Sequence, residues 1–168
     1  MAAHLPFVMR PNDAGVRLVN FHDAFQYCIR QSWEDQKKAA VLKVITALGS
    51  TLILFLLGFW SADPQHHQRN EILMIAGKSL ALLVSVSSIL NYLYDFQRRS
   101  NKYESARRVI SLLEANYTHA VRNKLTDVSY LDQMELWAKK NFTKIEERLD
   151  NDKVYDVGMD FKEEPLPQ

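Results

Sequence analysis

From Val44 to Ala62 the chain carries nineteen consecutive residues without a charged side chain, among them Leu52, Ile53, Leu54, Phe55, Leu56, Leu57 and Phe59. A bilayer core of about 30 Å needs roughly 20 helical residues at about 1.5 Å rise, so this run is long enough to cross one. A second run follows from Ile72 to Tyr94, interrupted by one charge, Lys78. Lying six residues in from Ile72, that ammonium stands near one end of the span, where its stem can lie in the apolar layer and its head can reach the headgroups. The whole-chain figure of 24% charged residues hides this segregation.

The two runs set a topology. Arg30, Lys37, Lys38 and Lys43 precede the first, and Arg98, Arg99, Lys102, Arg107 and Arg108 follow the second, whereas the connection between them holds only Arg69. Cationic flanks stay on the cytosolic side, so a multi-pass plasma-membrane protein with both termini cytosolic is expected. The first forty residues contain Arg10, Asp13, Arg17 and Asp23 with no apolar central run, which is not the pattern of a cleavable signal peptide. A hydrophobic hairpin buried in a large soluble assembly is the weaker reading of the same runs.

The chain reads as all-α: a two-helix transmembrane hairpin with an N-terminal amphipathic helix and a cytosolic helical hairpin. Residues 1–19, with Pro6, Pro11 and Gly15, are expected to be irregular. Over 20–40, Phe21, Phe25, Cys28, Ile29 and Trp33 recur at helical spacing and are expected on one buried or interfacial face. The transmembrane hairpin occupies 41–94. No Pro or Gly follows Tyr94 for many residues, so the second span is expected to continue through Asp95 to about Lys124 as one helix. Within this cytosolic domain, 95–150, Tyr103, Ala106, Ile110, Leu113 and Tyr117 form a short heptad seam, continued by Ala120, that suits self-association. Thr126, Asp127 and Ser129 offer cap oxygens for a new helix. Its stripe of Met134, Trp137, Ala138, Asn141, Phe142, Ile145 and Leu149 most simply packs back on that seam. Residues 151–168 read as an acidic tail.

Two readings compete for the polar stripe of the second span, where Lys78, Ala81, Ser85 and Ser88 follow one another at steps of three, four and three. Small and hydroxyl side chains let helices approach closely in lipid. Alternatively Lys78, Ser85 and Ser88 line an aqueous path in an oligomer, with Lys78 as a cationic ring near one mouth. Thr46, Gly49 and Ser50 on the first span, with Ala81 on the second, are the natural helix-helix contact. Two helices enclose no pore, so conduction requires several copies around an axis.

Other chemistry finds little footing. Cys28 is the only cysteine, which excludes an intrachain disulfide and a cysteine-cluster metal site. His66 and His67, near Asp63 and Glu71, read as solvated loop residues rather than metal ligands. There is no phosphate-cradling glycine loop, HExxH pair or nucleophile elbow, so neither an enzyme nor a cofactor is expected. A net charge of +1 and the lack of a basic recognition helix argue against nucleic acid. Glu146, Glu147, Asp150 and Asp152 read as a solvated charge run. Phe25, Trp33, Trp137 and Phe142 are the types that stack on a base, but on an apolar helical face they read as core.

The segment Tyr103, Glu104, Ser105, Ala106, Arg107, continuing to Ile110, together with Trp33 ahead of the first span, resembles the SLATT group of bacterial two-transmembrane proteins. The resemblance covers about residues 20–150. It implies a membrane effector of prokaryotic immune or conflict systems, partnered by the lipid bilayer, by further copies of itself, and by a nucleotide second messenger or a nucleotide-producing protein. Opening of its pore would depolarise the membrane. The rival expectation, of a different class, is a membrane-anchored interaction module whose helical domain recruits a cytosolic partner.

Overall fold

The computed structural model describes residues 4–11, 17–62, 67–122 and 124–167, with the side chains of 57–73 left out of the description. The chain is mostly helical, and it runs β1 (Val8–Pro11), β2 (Arg17–Asn20), α1 (Phe21–Ala62), α2 (His67–Tyr94), α3 (Phe96–Val121) and α4 (Val128–Asp150). It divides into two compact units. The first combines residues 1–34 with 98–168, and the second is 35–97.

The first unit is built around α3 and α4. Asp127 caps α4, its carboxylate accepting the Tyr130 N–H at 3.1 Å, which satisfies one of the orphan donors of a helix start. At the other end Lys102 donates from Nζ to the carbonyls of Leu149 (3.1 Å) and Asn151 (2.7 Å). A cation there meets both the unsatisfied carbonyls and the negative end of the helix dipole. Burial, followed by the neighbouring charge of Arg98, pushes the Lys102 ammonium below its ordinary value.

Within the stretch 1–19 expected to be irregular, Val8–Pro11 instead pairs with Arg17–Asn20 in a two-stranded antiparallel ribbon, with Val8 opposite Asn20 and Pro11 opposite Arg17. Two four-residue strands are too short for alternation to announce them, and Pro11 stands at a strand end, where its missing donor is tolerated. Tertiary contacts hold the ribbon. Phe7 meets the Phe142 ring edge-on at 5.4 Å, Phe21 packs on Tyr117 and Phe142 at 5.3 and 5.4 Å, and the Val19 N–H donates to the Tyr117 hydroxyl at 3.1 Å. Leu5, Val19, Phe21, Ala24 and Cys28 thus share one core with the buried faces of α3 and α4.

The C-terminal segment is not a free acidic tail. Glu164 accepts at its carbonyl from Trp137 Nε1 (2.7 Å) and donates its N–H to Asn141 Oδ1 (3.0 Å). Arg148 donates to the carbonyls of Val157 (2.9 Å), Met159 (2.5 Å) and Asp160 (3.1 Å). Val157 is fully buried. Asn141, the one polar member of its stripe, also donates to the Trp137 carbonyl at 3.0 Å, so the buried amide is used at both ends.

α1 is a single helix, where the sequence suggested an amphipathic helix followed by a separate span. Its buried N-terminal face is Phe21, Ala24, Cys28 and Ser32, and burial continues at Asp35 and Ala39. Trp33 is off that face and 58% exposed. Nor do α2 and α3 form the one continuous helix expected. They part at Asp95, whose φ of 37° is left-handed, a conformation that Asp adopts more readily than most residues.

Candidate functional site: the apolar hairpin

In the second unit α1 and α2 lie antiparallel, since Gly49 lies against Val84 and Leu80 while Lys43 donates to Gln97 at 3.3 Å. Gly49 is required for that approach: a Cβ there would run into Val84 Cγ2. By contrast a Cβ at Gly77 meets nothing. The α1 side of the contact continues through half-buried Thr46 and Ser50, and the α2 side through half-buried Leu80 and Val84 and buried Ser87. Ser87 was not singled out from the sequence, where Ser85, Ser87 and Ser88 look alike and only the contact face separates them.

Four hydroxyls in this unit are satisfied within their own helices. Thr46 donates to the Leu42 carbonyl (2.8 Å), Ser50 to Thr46 (2.7 Å), Thr51 to Ala47 (2.9 Å) and Ser88 to Val84 (2.9 Å). Such back-bonding lets a hydroxyl face hydrocarbon without stranding a donor.

Lys78, Ala81, Ser85 and Ser88 are all exposed. They form a stripe roughly a quarter-turn round α2 from the face that meets α1. Ala81 therefore takes no part in the contact with α1, in contrast to the expectation. Beside the stripe α2 exposes Ile75, Leu82, Val86, Ile89 and Leu93, and α1 exposes Val44, Leu48, Leu52, Leu54 and Phe55. Among the described residues two helices are long and apolar enough to cross a membrane, and only 11% and 6% of their most apolar 18-residue stretches are buried. A core helix of a water-soluble domain hides its apolar stripe, whereas these leave most of their large apolar side chains exposed outside the α1-α2 contact.

The seam residues Tyr103, Ala106, Ile110, Leu113 and Tyr117 are buried inside the first unit, where Tyr117 stacks on Trp137 at 6.4 Å. A second copy would have to displace α4 to reach them. Trp137 and Phe142 are core. Asp63 and His66 lie outside the described residues, as do the side chains of His67 and Glu71. Among the described residues no cluster of His, Cys, Asp and Glu is placed to hold a metal ion. No family model, curated protein or solved structure matches the chain.

Proposed function

We propose that this chain is an oligomeric pore-forming membrane effector of a prokaryotic immune or conflict system. In this reading α1 and α2 cross the plasma membrane, both termini are cytosolic, and the first unit receives the activating signal, a nucleotide or a partner protein. The carrying observation is the exposed stripe of Lys78, Ser85 and Ser88, which is distinct from the face that α2 spends on α1. It leaves a polar surface for the walls of a path between copies, with Lys78 as the cationic element. The resemblance to the SLATT group supports the effector role, and the cationic flanks support the orientation.

The test is release of ions or dye from liposomes holding the full-length protein, with and without a panel of cyclic nucleotides, in wild type and in the triple variant Lys78→Leu, Ser85→Leu, Ser88→Leu. Ligand-dependent release that the triple variant abolishes is the expected result. Undiminished flux and growth arrest in the variant would sink the pore assignment.

A second reading, a membrane-anchored interaction module, is favoured by one observation: the first unit carries its own aromatic core and buried polar network. Under that reading the first unit alone retains the biological activity. Under the pore reading it is inert.

A further inference from the structure

We propose that the groove between α3 and α4 is a peptide-recognition site whose built-in occupant is 157–164, and that a partner protein enters it with an extended acidic segment that displaces this occupant. The site lies wholly within the first unit, so it stands or falls apart from the membrane reading.

Residues 157–164 form no helix or strand, yet helix side chains hold their main chain from end to end. On α3, Ser105 Oγ accepts the Val157 N–H at 2.8 Å. On α4, Arg148 donates to the carbonyls of Val157, Met159 and Asp160, and Lys144 to that of Lys162. Asn141 and Trp137 then take the N–H and the carbonyl of Glu164. As the segment advances, its partners step back along α4 from Arg148 to Trp137 and forward along α3 from Ser105 to Asn116. It therefore lies lengthwise in the groove, antiparallel to α4. Main-chain hydrogen bonds of this kind supply affinity to an extended peptide whatever its sequence, and a few side-chain contacts supply specificity.

Those side-chain contacts are apolar at one end and acidic at the other. Val157 is fully buried, and Phe161 packs against the core. Both carboxylate oxygens of Glu163 accept from Asn116 Nδ2, at 3.1 and 2.9 Å. Glu164 pairs with Lys144, whose hydrogen bond and charge, aided by the charge of Lys140, hold its carboxyl below the ordinary value. Met159 and Lys162 are exposed. The groove thus reads two apolar and two acidic positions and ignores the side chains between them. A nucleotide offers no run of amides and carbonyls to the same donors. An incoming peptide of this chemistry remakes each bond that the departing segment gives up, so the exchange is limited by the tether, which keeps the resident at a roughly millimolar effective concentration.

The test uses the full-length chain in detergent micelles with a protease site inserted between Lys153 and Val154. After cleavage the chain should keep its helical melt, and a fluorescein-labelled synthetic peptide of residues 154–168 should exchange into it, read by anisotropy. On the uncleaved chain the same peptide should bind about tenfold or more weakly, because the tethered segment competes. Glu163→Gln with Glu164→Gln in the peptide should weaken binding about tenfold or more, the loss of two charge-assisted contacts, whereas Met159→Ser with Lys162→Ser should change it by less than about threefold. In a Lys144→Gln chain the loss caused by Glu164→Gln should shrink, because the two side chains act as a pair. A cleaved chain that no longer melts cooperatively would make the segment part of the core and overturn the site. A cleaved segment that never exchanges, or a scrambled peptide that binds equally well, would overturn it too. Each of these outcomes leaves the membrane reading as it was.

Discussion

The hydroxyls of Ser32 and Ser100 lie 3.0 Å apart and hydrogen-bond to one another in the interior of the first unit, although 68 residues separate them in the chain. The pair marks where the chain leaves that unit on α1 and where it returns on α3. The two crossing points are therefore neighbours, and the whole of 35–97 is an excursion between them.

A chain in which residues 35–97 are replaced by a short Gly/Ser linker is accordingly expected to fold. It should be water-soluble, helical by circular dichroism and cooperative on heating, because every residue of the core around Phe142 is retained. The isolated segment 102–150 should not fold alone, since it lacks Leu5, Val19, Phe21, Ala24 and Cys28. Equal folding of the two in thermal melts would contradict this account of the core.

Gly49 is expected to be the most substitution-sensitive position of the hairpin. Gly49→Leu drives a side chain into Val84 and should weaken the α1-α2 contact by about 1–3 kcal/mol, the usual cost of overpacking. Gly77→Ala, with open space around it, should be neutral or slightly stabilising because Ala is the better helix former. Denaturation in detergent micelles, followed by an interhelix energy-transfer pair, separates the two. A neutral Gly49→Leu would show that the helices do not meet there.

The apolar runs, the α4 cap and the paired stripes of α3 and α4 were legible because each is written in consecutive or periodic residues. What was missed depends on long-range or main-chain partners. Trp33 was expected on the buried face with Phe21 and Cys28, but beside those two the face is completed by Ala24 and Ser32, small and polar residues that hydrophobic periodicity discounts. The break at Asp95 carries neither Gly nor Pro. The C-terminal segment is held by its carbonyls on Arg148 and Trp137 and by its Glu164 N–H on Asn141, and no side-chain pattern records main-chain contacts. In the hairpin the polar stripe was visible, but which side of α2 faces α1 was not, and this left Ala81 on the wrong surface.

Asn141→Leu should loosen the C-terminal segment more than the helices. The substitution keeps the side-chain volume but strands the Glu164 N–H, at a cost of about 1–3 kcal/mol; the Trp137 carbonyl keeps its helical partner. Limited proteolysis should then cut within 151–168 well before it cuts α4, and hydrogen exchange should quicken at the Glu164 amide. Wild-type protection of that amide in the variant would mean that Trp137 and Arg148 hold the segment unaided.

The first unit should lose stability in alkali. Burial pushes the Cys28 thiol up to about 12, against the opposing pull of Arg107. Burial likewise pushes the Tyr103 phenol up to about 12 and raises Tyr117. In each case the folded chain keeps its proton after the unfolded chain has released it. The stabilisation is therefore complete below the ordinary values of 9.0 for Cys28 and 10.0 for the tyrosines, and is lost as pH rises toward the folded values. While unfolded and folded protonation differ, each group contributes a slope of about 1.4 kcal/mol per pH unit. Lys102 acts in the opposite sense, because between its lowered value and 10.5 the unfolded chain binds the extra proton and stability rises with pH. Three acids against one base leave a net fall above about pH 10. Denaturant unfolding of the excised first unit from pH 8 to 11.5 tests the balance. Cys28→Ala should lower stability at neutral pH and flatten the decline that begins near the thiol's ordinary value; a decline of unchanged steepness there would show that Cys28 does not hold its proton more tightly in the folded state.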